Sequence, residues 1–408
     1  MQCVYMFLIH GGSRHKMNGL AKHGTHFKEN FERLYPGMQW AHFDTINNLI
    51  CATSVDDLCL VRKRLVQSLI RQKVLRTKDG YHHIIFDGTG ICSYKQAPVD
   101  KASYKKRNDT ITYYAYVLEA KLLTNENMVL SVASEMINNE GKKAFDKQDS
   151  ELAAFKRLAA KVDKYFPRLP ICIHLDGLYA NGPVMEICEQ YGWKYIITRK
   201  DGCLKDLDVQ IIDKTPKEKQ SFRHPINLNP KCKSPEYVSY KWVERLTHQL
   251  YQFNYMEQII PIYNPKEDTV EATKFAYITN LDISRTKAKQ GDSDEIEKAI
   301  IQLINCGRMR WKIENEGFNM QKNGGLNMQH KFVRRSITNQ HKYYILLQIA
   351  HIIIQLTLKS KAVASLLDKD KTISIKLLWS LMISIITVSV LNQQKLLEGR
   401  VKCQIRLE

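Results

Sequence analysis

The chain has 408 residues, 44% of them hydrophobic and 25% charged, which is enough apolar material for two or three globular cores and excludes a disordered or fibrous protein. A formal net charge of +19 exceeds what solubility needs and favours a polyanionic partner, nucleic acid ahead of an anionic membrane surface. The ten cysteines form no C-x-x-C pair and no Cys/His finger spacing, so they read as reduced thiols of a cytoplasmic protein rather than a disulfide framework.

Met1 to Ile9 is apolar but lacks a basic leader and is followed at once by Gly11-Gly12-Ser13-Arg14, so it reads as a truncated or irregular start and not as a signal peptide. Residues 27 to 78 have helical periodicity. Phe27 to Leu34 is amphipathic, His42-Phe43-Asp44-Thr45 offers an N-cap, and Asp56 to Lys73 repeats Leu58, Val61, Leu65, Leu69 and Ile70 at helical spacing. The opposite face of that last helix, with Arg62, Lys63, Arg64 and Arg71, is expected in solvent.

From Tyr81 the pattern turns to strands: Tyr81 to Phe86, then Thr110 to Leu123 and Met128 to Met136 as a hairpin about Thr124-Asn125-Glu126-Asn127. Asp149 to Tyr165 is an amphipathic helix ended by Pro167 and Pro170. Pro170 to Leu175 is a buried-type strand, Val184 to Tyr191 a helix and Trp193 to Thr198 a strand. Three strands, helix, strand, helix, strand is the succession of an α/β ribonuclease-H-like core, a mixed sheet flanked by helices.

A Pro/Lys-rich linker, Lys214 to Pro235, leads into Tyr237 to Val243, Leu250 to Tyr255 and Lys274 to Thr279, a β-rich insertion. Helical character returns at Ser284, and the nearly apolar run Tyr343 to Leu358 must be buried. Leu377 to Leu391 is shorter than the roughly 20 residues of a bilayer span, so a buried C-terminal helix is expected and no membrane role. The predicted organisation is 1–79 helical, 80–200 first part of the core, 201–283 insertion, 284–358 end of the core with a carboxylate-bearing helix, and 359–408 helical tail.

Two isolated aspartates end apolar strand-like runs: Asp87 in Ile84-Ile85-Phe86-Asp87-Gly88-Thr89-Gly90 and Asp176 in Ile173-His174-Leu175-Asp176-Gly177. Strand ends at one edge of an open α/β sheet are where ligands bind, and paired carboxylates suit hard divalent cations. A third carboxylate is offered by Arg308-Met309-Arg310-Trp311-Lys312-Ile313-Glu314-Asn315-Glu316, read as one helix. Residues two apart on an α-helix point about 200° away from each other, so only one glutamate faces the aspartates, and Glu314, one turn after Arg310, is favoured. Trp193, Trp242 and Trp311 are candidates for stacking on a base, with Trp242 in the basic insertion the freest.

These motifs resemble those of bacterial insertion-sequence transposases of the DDE type. The resemblance rests on Asp87-Gly88-Thr89-Gly90, Asp176-Gly177-Leu178-Tyr179, Arg310 to Asn319 and Asn323-Gly324-Gly325, with Val117 to Leu122, Ser134-Glu135-Met136 and Tyr343 to His351 between and after them, and it covers roughly residues 27 to 358. It implies a ribonuclease-H-like catalytic domain in which Asp87, Asp176 and Glu314 bind two Mg²⁺ or Mn²⁺ ions. It further implies cleavage of double-stranded DNA at terminal inverted repeats, strand transfer into target DNA, and a homodimer that holds both ends. A nuclease without strand transfer, or an inactive DNA-binding relative, are the alternatives. The signature helix of the best-known relatives carries Tyr three residues before the Arg and Lys seven after the Glu, where this chain has Gly307 and Gln321. Lys322 comes one position late, about 100° off the expected face of a regular helix, while Arg310 matches by spacing as a DNA-phosphate contact.

Overall fold

The computed structural model describes residues 1–75, 77, 79–99, 103–108, 110–137, 147–204, 206–214, 219–226, 236–264, 267, 269–283, 293–369 and 374–402. The chain is α/β, a mixed sheet flanked by helices. In order the elements are α1 (Gln2–Leu8), α2 (Arg14–His23), α3 (Phe27–Leu34), α4 (Phe43–Ala52), α5 (Val55–Arg71), β1 (His82–Tyr94), β2 (Ser103–Arg107), β3 (Thr110–Leu123), β4 (Val129–Met136) and α6 (Lys147–Tyr165). Next come β5 (Ile171–Leu175), α7 (Gly182–Gln190), β6 (Lys194–Thr198), α8 (Asp206–Asp213), β7 (Lys219–Ile226), β8 (Glu236–His248), β9 (Tyr251–Asn264), β10 (Thr269–Thr279) and α9 (Ser293–Arg308). The chain closes with α10 (Met320–Asn323), α11 (Ile337–Lys359), α12 (Lys361–Lys369), α13 (Ile375–Val388) and α14 (Gln393–Lys402).

Two compact units divide these elements. The first holds residues 1–79, 88–165 and 312–408, the second residues 80–87 and 166–311. The expected start of a helix at Ser284 lies outside the described residues, and α9 is described from Ser293.

In the first unit, β3 and β4 form the expected hairpin, with Asn127 at φ 62° in its turn, a left-handed conformation that Asn tolerates. Helix α11 packs on β4, α5 and α1 and is buried nearly throughout. Met1 to Ile9, expected to be irregular, instead holds α1, most of whose side chains lie in the core with Phe27, Phe31 and Tyr343.

The face of α5 departs from expectation. Its buried stripe is Cys59, Arg62, Val66 and Leu69, one position round from the predicted one, while Val61 is 53% exposed. Arg62 is thus inside the core and not on a solvated face. Its Nη1 donates to Ser131 Oγ at 2.9 Å and Ser134 Oγ at 3.0 Å and lies 3.7 Å from Glu119 Oε1. Glu119 also accepts from the Tyr344 hydroxyl at 2.8 Å and from Ser131. Two positions further along the strand, buried Lys121 donates to Gln348 Oε1 at 3.2 Å, and Gln348 exchanges hydrogen bonds with Gln321 at 2.8 and 3.0 Å.

Burial raises the Glu119 carboxyl, against the pull of Arg62 and Lys121, and lowers Lys121 to about 8. Burial also lowers His341 to about 3 and His351 well below the ordinary histidine value.

Helix α13 corrects a second expectation. Only Trp379 and Ile386 are buried, and Leu377, Leu381, Ile385 and Val388 are exposed. A run apolar on every side carries no periodicity to say which face docks. Polar ties do: Asn30 Nδ2 donates to the Ile386 and Ser389 carbonyls, and Trp379 Nε1 to the Leu8 carbonyl. Among the described residues no helix is long and apolar enough to cross a membrane.

In the second unit, residues 82–85 of β1 pair in parallel with β5, and β5 pairs in parallel with β6. The insertion strands continue this sheet, since β10 pairs antiparallel with β6 and β9, β8 and β7 follow. Strand β7 forms inside the stretch expected as linker, and β8 aligns Trp242 opposite its Gln220. Helix α9 covers the sheet, burying Ile300 and Ile304 in a core with Cys172, Ile196, Trp242 and Tyr277.

Replacing Arg62 by Ala leaves Glu119 buried without its cation and should cost about 3–5 kcal/mol in chemical denaturation, whereas Arg64→Ala, on the exposed side, should stay within about 0.5 kcal/mol. Acid should destabilise through His341: unfolded it binds a proton from about pH 6.5 downward, folded only near 3, so stability falls with pH across that window. Denaturation midpoints from pH 7 to 4.5 should show a shallower slope in His341→Gln.

Candidate active site

Ile85 of β1 is registered opposite His174 of β5, so two residues further along each strand stand Asp87 and Asp176. Alternation puts Asp87 on the face of Ile85 and Asp176 on that of His174, and neighbouring strands lie about 4.8 Å apart. Strand β1 does not end at Asp87, as expected, but runs on to Tyr94, so Asp87 stands just past its pairing with β5.

Asp176 does follow the end of its strand. It caps the 3-10 turn Gly177–Tyr179, with Oδ1 accepting the Leu178 N–H at 2.8 Å. Its other oxygen receives Lys200 Nζ at 3.1 Å, and Asp87 Oδ2 receives Arg310 Nη1 at 3.1 Å. A Cβ on Gly177 would stand 2.8 Å from Lys200 Cγ, so the glycine clears the path of that lysine. The result is two partly exposed carboxylates at one register level, each neutralised by a basic side chain.

The stretch Arg308 to Asn319 is not one regular helix. After α9 ends at Arg308, Met309–Trp311 is a 3-10 turn and Ile313–Asn319 a π-helix that runs into α10. At Gly307 an added Cβ would lie 2.8 Å from the Tyr277 ring, which fills that space from β10. Of the three tryptophans considered for base stacking, Trp311 is the exposed one, at 45%. Trp242, which its basic surroundings favour, is buried at 4% against Phe222 and is not available to a base. Trp193 is buried as well.

Within the first unit the π-helix turns its two glutamates differently. Glu314 is exposed, whereas Glu316 lines a cavity of about 360 Å³ with Met128, Leu326 and His351. Glu316 Oε2 is buried with no hydrogen-bond partner among the described residues, and Lys312 Nζ lies 3.9 Å from Oε1. A π turn takes one residue more than an α turn, so Lys322, eight after Glu314, covers the angle that seven residues cover in an α-helix. Lys322 Nζ donates to Thr89 Oγ1 at 2.8 Å, joining the end of the signature to the motif that begins at Asp87. Gln321, at the nominal lysine position, is fully buried on Gln348 and near His351. Arg310 thus meets Asp87 and Lys200 meets Asp176 in the second unit, and Lys322 meets Thr89 in the first, which also holds Glu314.

Compared with models of known protein families and with curated protein sequences, the chain finds no match. Its chemistry therefore rests on the geometry and on the motif resemblance. Lys200, which pairs with Asp176, and Tyr277, beside Gly307, do not emerge from sequence reasoning. Lys200 comes two residues after β6 and parallel strands end side by side, which is a signal for a residue beside Asp176; nothing local marks Tyr277.

Gly307→Ala gains up to about 1 kcal/mol of helix propensity but drives a methyl into the Tyr277 ring, an overpacking cost of about 1–3 kcal/mol, so net destabilisation is expected. A double-mutant cycle with Tyr277→Ala should recover at least about 0.5 kcal/mol as coupling, measured by urea denaturation.

Proposed function

We propose that this chain is a DNA transposase of the DDE type, acting as a metal-dependent DNA phosphodiester hydrolase and strand transferase on double-stranded DNA. The observation that carries the reading is the parallel pairing of β1 with β5 up to Ile85 and His174, each two residues before an aspartate, with Arg310 on Asp87. The strand arrangement supports a ribonuclease-H-like core: β1 neighbours β3, β3 pairs antiparallel with β4, and β1, β5 and β6 run parallel.

The donor set fits hard divalent cations such as Mg²⁺ or Mn²⁺. Asp87 and Asp176 offer carboxylate oxygens, and the cationic groups on both Oδ2 atoms already supply the positive charge such ions would bring. Glu314 enters as the third ligand by the resemblance, and its exposure fits it better than the inward Glu316. Two bound ions would activate the attacking oxygen and stabilise the leaving one.

The residues of the chain then divide the remaining work. Arg310 holds Asp87 in place, and its forked guanidinium would suit a DNA phosphate. Lys200 does the same beside Asp176, as a point charge. Exposed Trp311, next to Arg310, is the aromatic able to meet an unpaired base. The net charge of +19 gives the long-range attraction to DNA, and a homodimer would hold two transposon ends.

Asp87→Asn, Asp176→Asn and Glu314→Gln should each lower cleavage of DNA bearing the element's terminal repeats by about 10²–10³-fold with DNA binding retained, while Glu316→Gln keeps activity. Incubating a pre-cut end with plasmid should yield covalently joined product. Cleavage without joining would leave a nuclease, and an active Glu314→Gln beside an inactive Glu316→Gln would reverse the choice of third ligand.

A further inference from the structure

We propose that His83, His174 and Cys306 form a binding site for one borderline-soft divalent cation of the zinc class, separate from the carboxylate pair and independent of the function proposed above. His83 stands on β1 and His174 on β5, and the register Ile85 with His174 puts both on the same sheet face. Cys306 comes from the last turn of α9, the helix that covers this sheet. The three donor atoms lie within 4.8 Å of one another.

The donor separations come near tetrahedral spacing, with Cys306 and His174 within 4.8 Å of each other. His83 Nδ1 is 2.8 Å from His174 Nε2, and Cys306 Sγ is 3.6 Å from His83 Nδ1. With metal–nitrogen bonds of about 2.0–2.1 Å and metal–sulfur bonds of about 2.3 Å, tetrahedral neighbours stand roughly 3.3–3.6 Å apart. The sulfur–nitrogen distance already matches, and the nitrogen pair must open by about half an ångström, which rotation of the half-buried His83 ring allows.

The chemistry of the donors selects the ion. Two imidazoles and a thiolate suit zinc, whereas the carboxylate oxygens of Asp87 and Asp176 suit Mg²⁺, so the two sites sort their ions by softness. His174 is completely buried, and its Nε2 shares a hydrogen bond with His83 Nδ1 that metal ligation would replace. Uptake would involve no redox change: the Cys306 thiol gives its proton to solvent as the sulfur–metal bond forms, and both imidazoles bind neutral. Three protein donors leave the fourth vertex for water.

Ligation would tie the end of α9 to β1 and β5. Arg310 follows Cys306 by four residues, so the ion acts as a clamp on the segment that delivers Arg310 to Asp87.

The test is a titration of the full-length metal-free protein with Co²⁺, a spectroscopic stand-in for Zn²⁺. One equivalent should produce a thiolate-to-cobalt charge-transfer band that excess Mg²⁺ does not remove and Zn²⁺ does, and Zn²⁺ should raise the thermal unfolding midpoint. Cys306→Ser should abolish the band and weaken Co²⁺ binding at least tenfold, and His83→Gln should keep a weaker-binding form of it. Asp87→Asn/Asp176→Asn should leave the band unchanged. No band in the wild-type protein, or a band that persists in Cys306→Ser, overturns the proposal. Should Cys306→Ser fail to fold, a His83→Gln binding curve identical to wild type does so.

Discussion

The parallel pairing of β1 with β5 is the constraint on which the site depends. With a side-chain period of two, a slip of one residue would send either aspartate to the opposite face, and both strands are buried enough to forbid the slip. One register, Ile85 opposite His174, thereby places Asp87 level with Asp176 and sets His83 and His174 on the same side behind them. A hard-oxygen level and a soft nitrogen-and-sulfur level then follow one another along the same two strands. The flanking strand β6 adds Lys200 just past its end, and α9 leads to Arg310 just past its own.

The first unit is organised by buried charge. Arg62, Glu119 and Lys121 are all fully enclosed, and taking such groups from water costs several kcal/mol each unless they pair. Each finds partners from different elements: α5 gives Arg62, β3 gives Glu119 and Lys121, β4 gives Ser131 and Ser134, and α11 gives Tyr344 and Gln348. Apolar packing alone would accept α11 in several rotations, because it is apolar nearly all round. The network accepts one, since a rotated α11 would take the Tyr344 hydroxyl from Glu119 and Gln348 from Lys121. The motif residues between Val117 and Leu122 and between Tyr343 and His351 are therefore explained by the fold of this unit, with no need to touch substrate.

Elements with a one-sided pattern are legible in the sequence: the β3–β4 hairpin, α6, and the alternation of β5, α7 and β6 follow from spacing and turn residues. Pattern misleads where the usual sign of a residue is reversed. A charged residue is ordinarily outside, so a buried Arg62 shifts the apparent stripe of α5 by one position. An apolar run is ordinarily inside, yet α13 leaves much of its surface exposed. Trp242 has basic surroundings in sequence, but strand pairing with β7, hidden in the Pro/Lys-rich stretch, gives it an aromatic lid in Phe222. Asp87 and Asp176 are visible because each closes an apolar run and Lys200 because it follows the end of a neighbouring strand, whereas Tyr277 acts across the sheet and leaves no local pattern.

The π-helix joins these points. Measured against the transposase signature that it resembles, the segment has its lysine one residue late and Gly307 in place of tyrosine. Both departures are absorbed by the fold. The wider turn over Ile313–Asn319 takes up the extra residue and brings Lys322 to Thr89, and Tyr277 fills the space beside Gly307 from a neighbouring strand. Widened turns of this kind cost backbone hydrogen-bond geometry and persist mainly where a side chain must be aimed. Here Glu314 is exposed and Glu316 is half-buried, with one carboxylate oxygen buried and lacking a hydrogen-bond partner among the described residues.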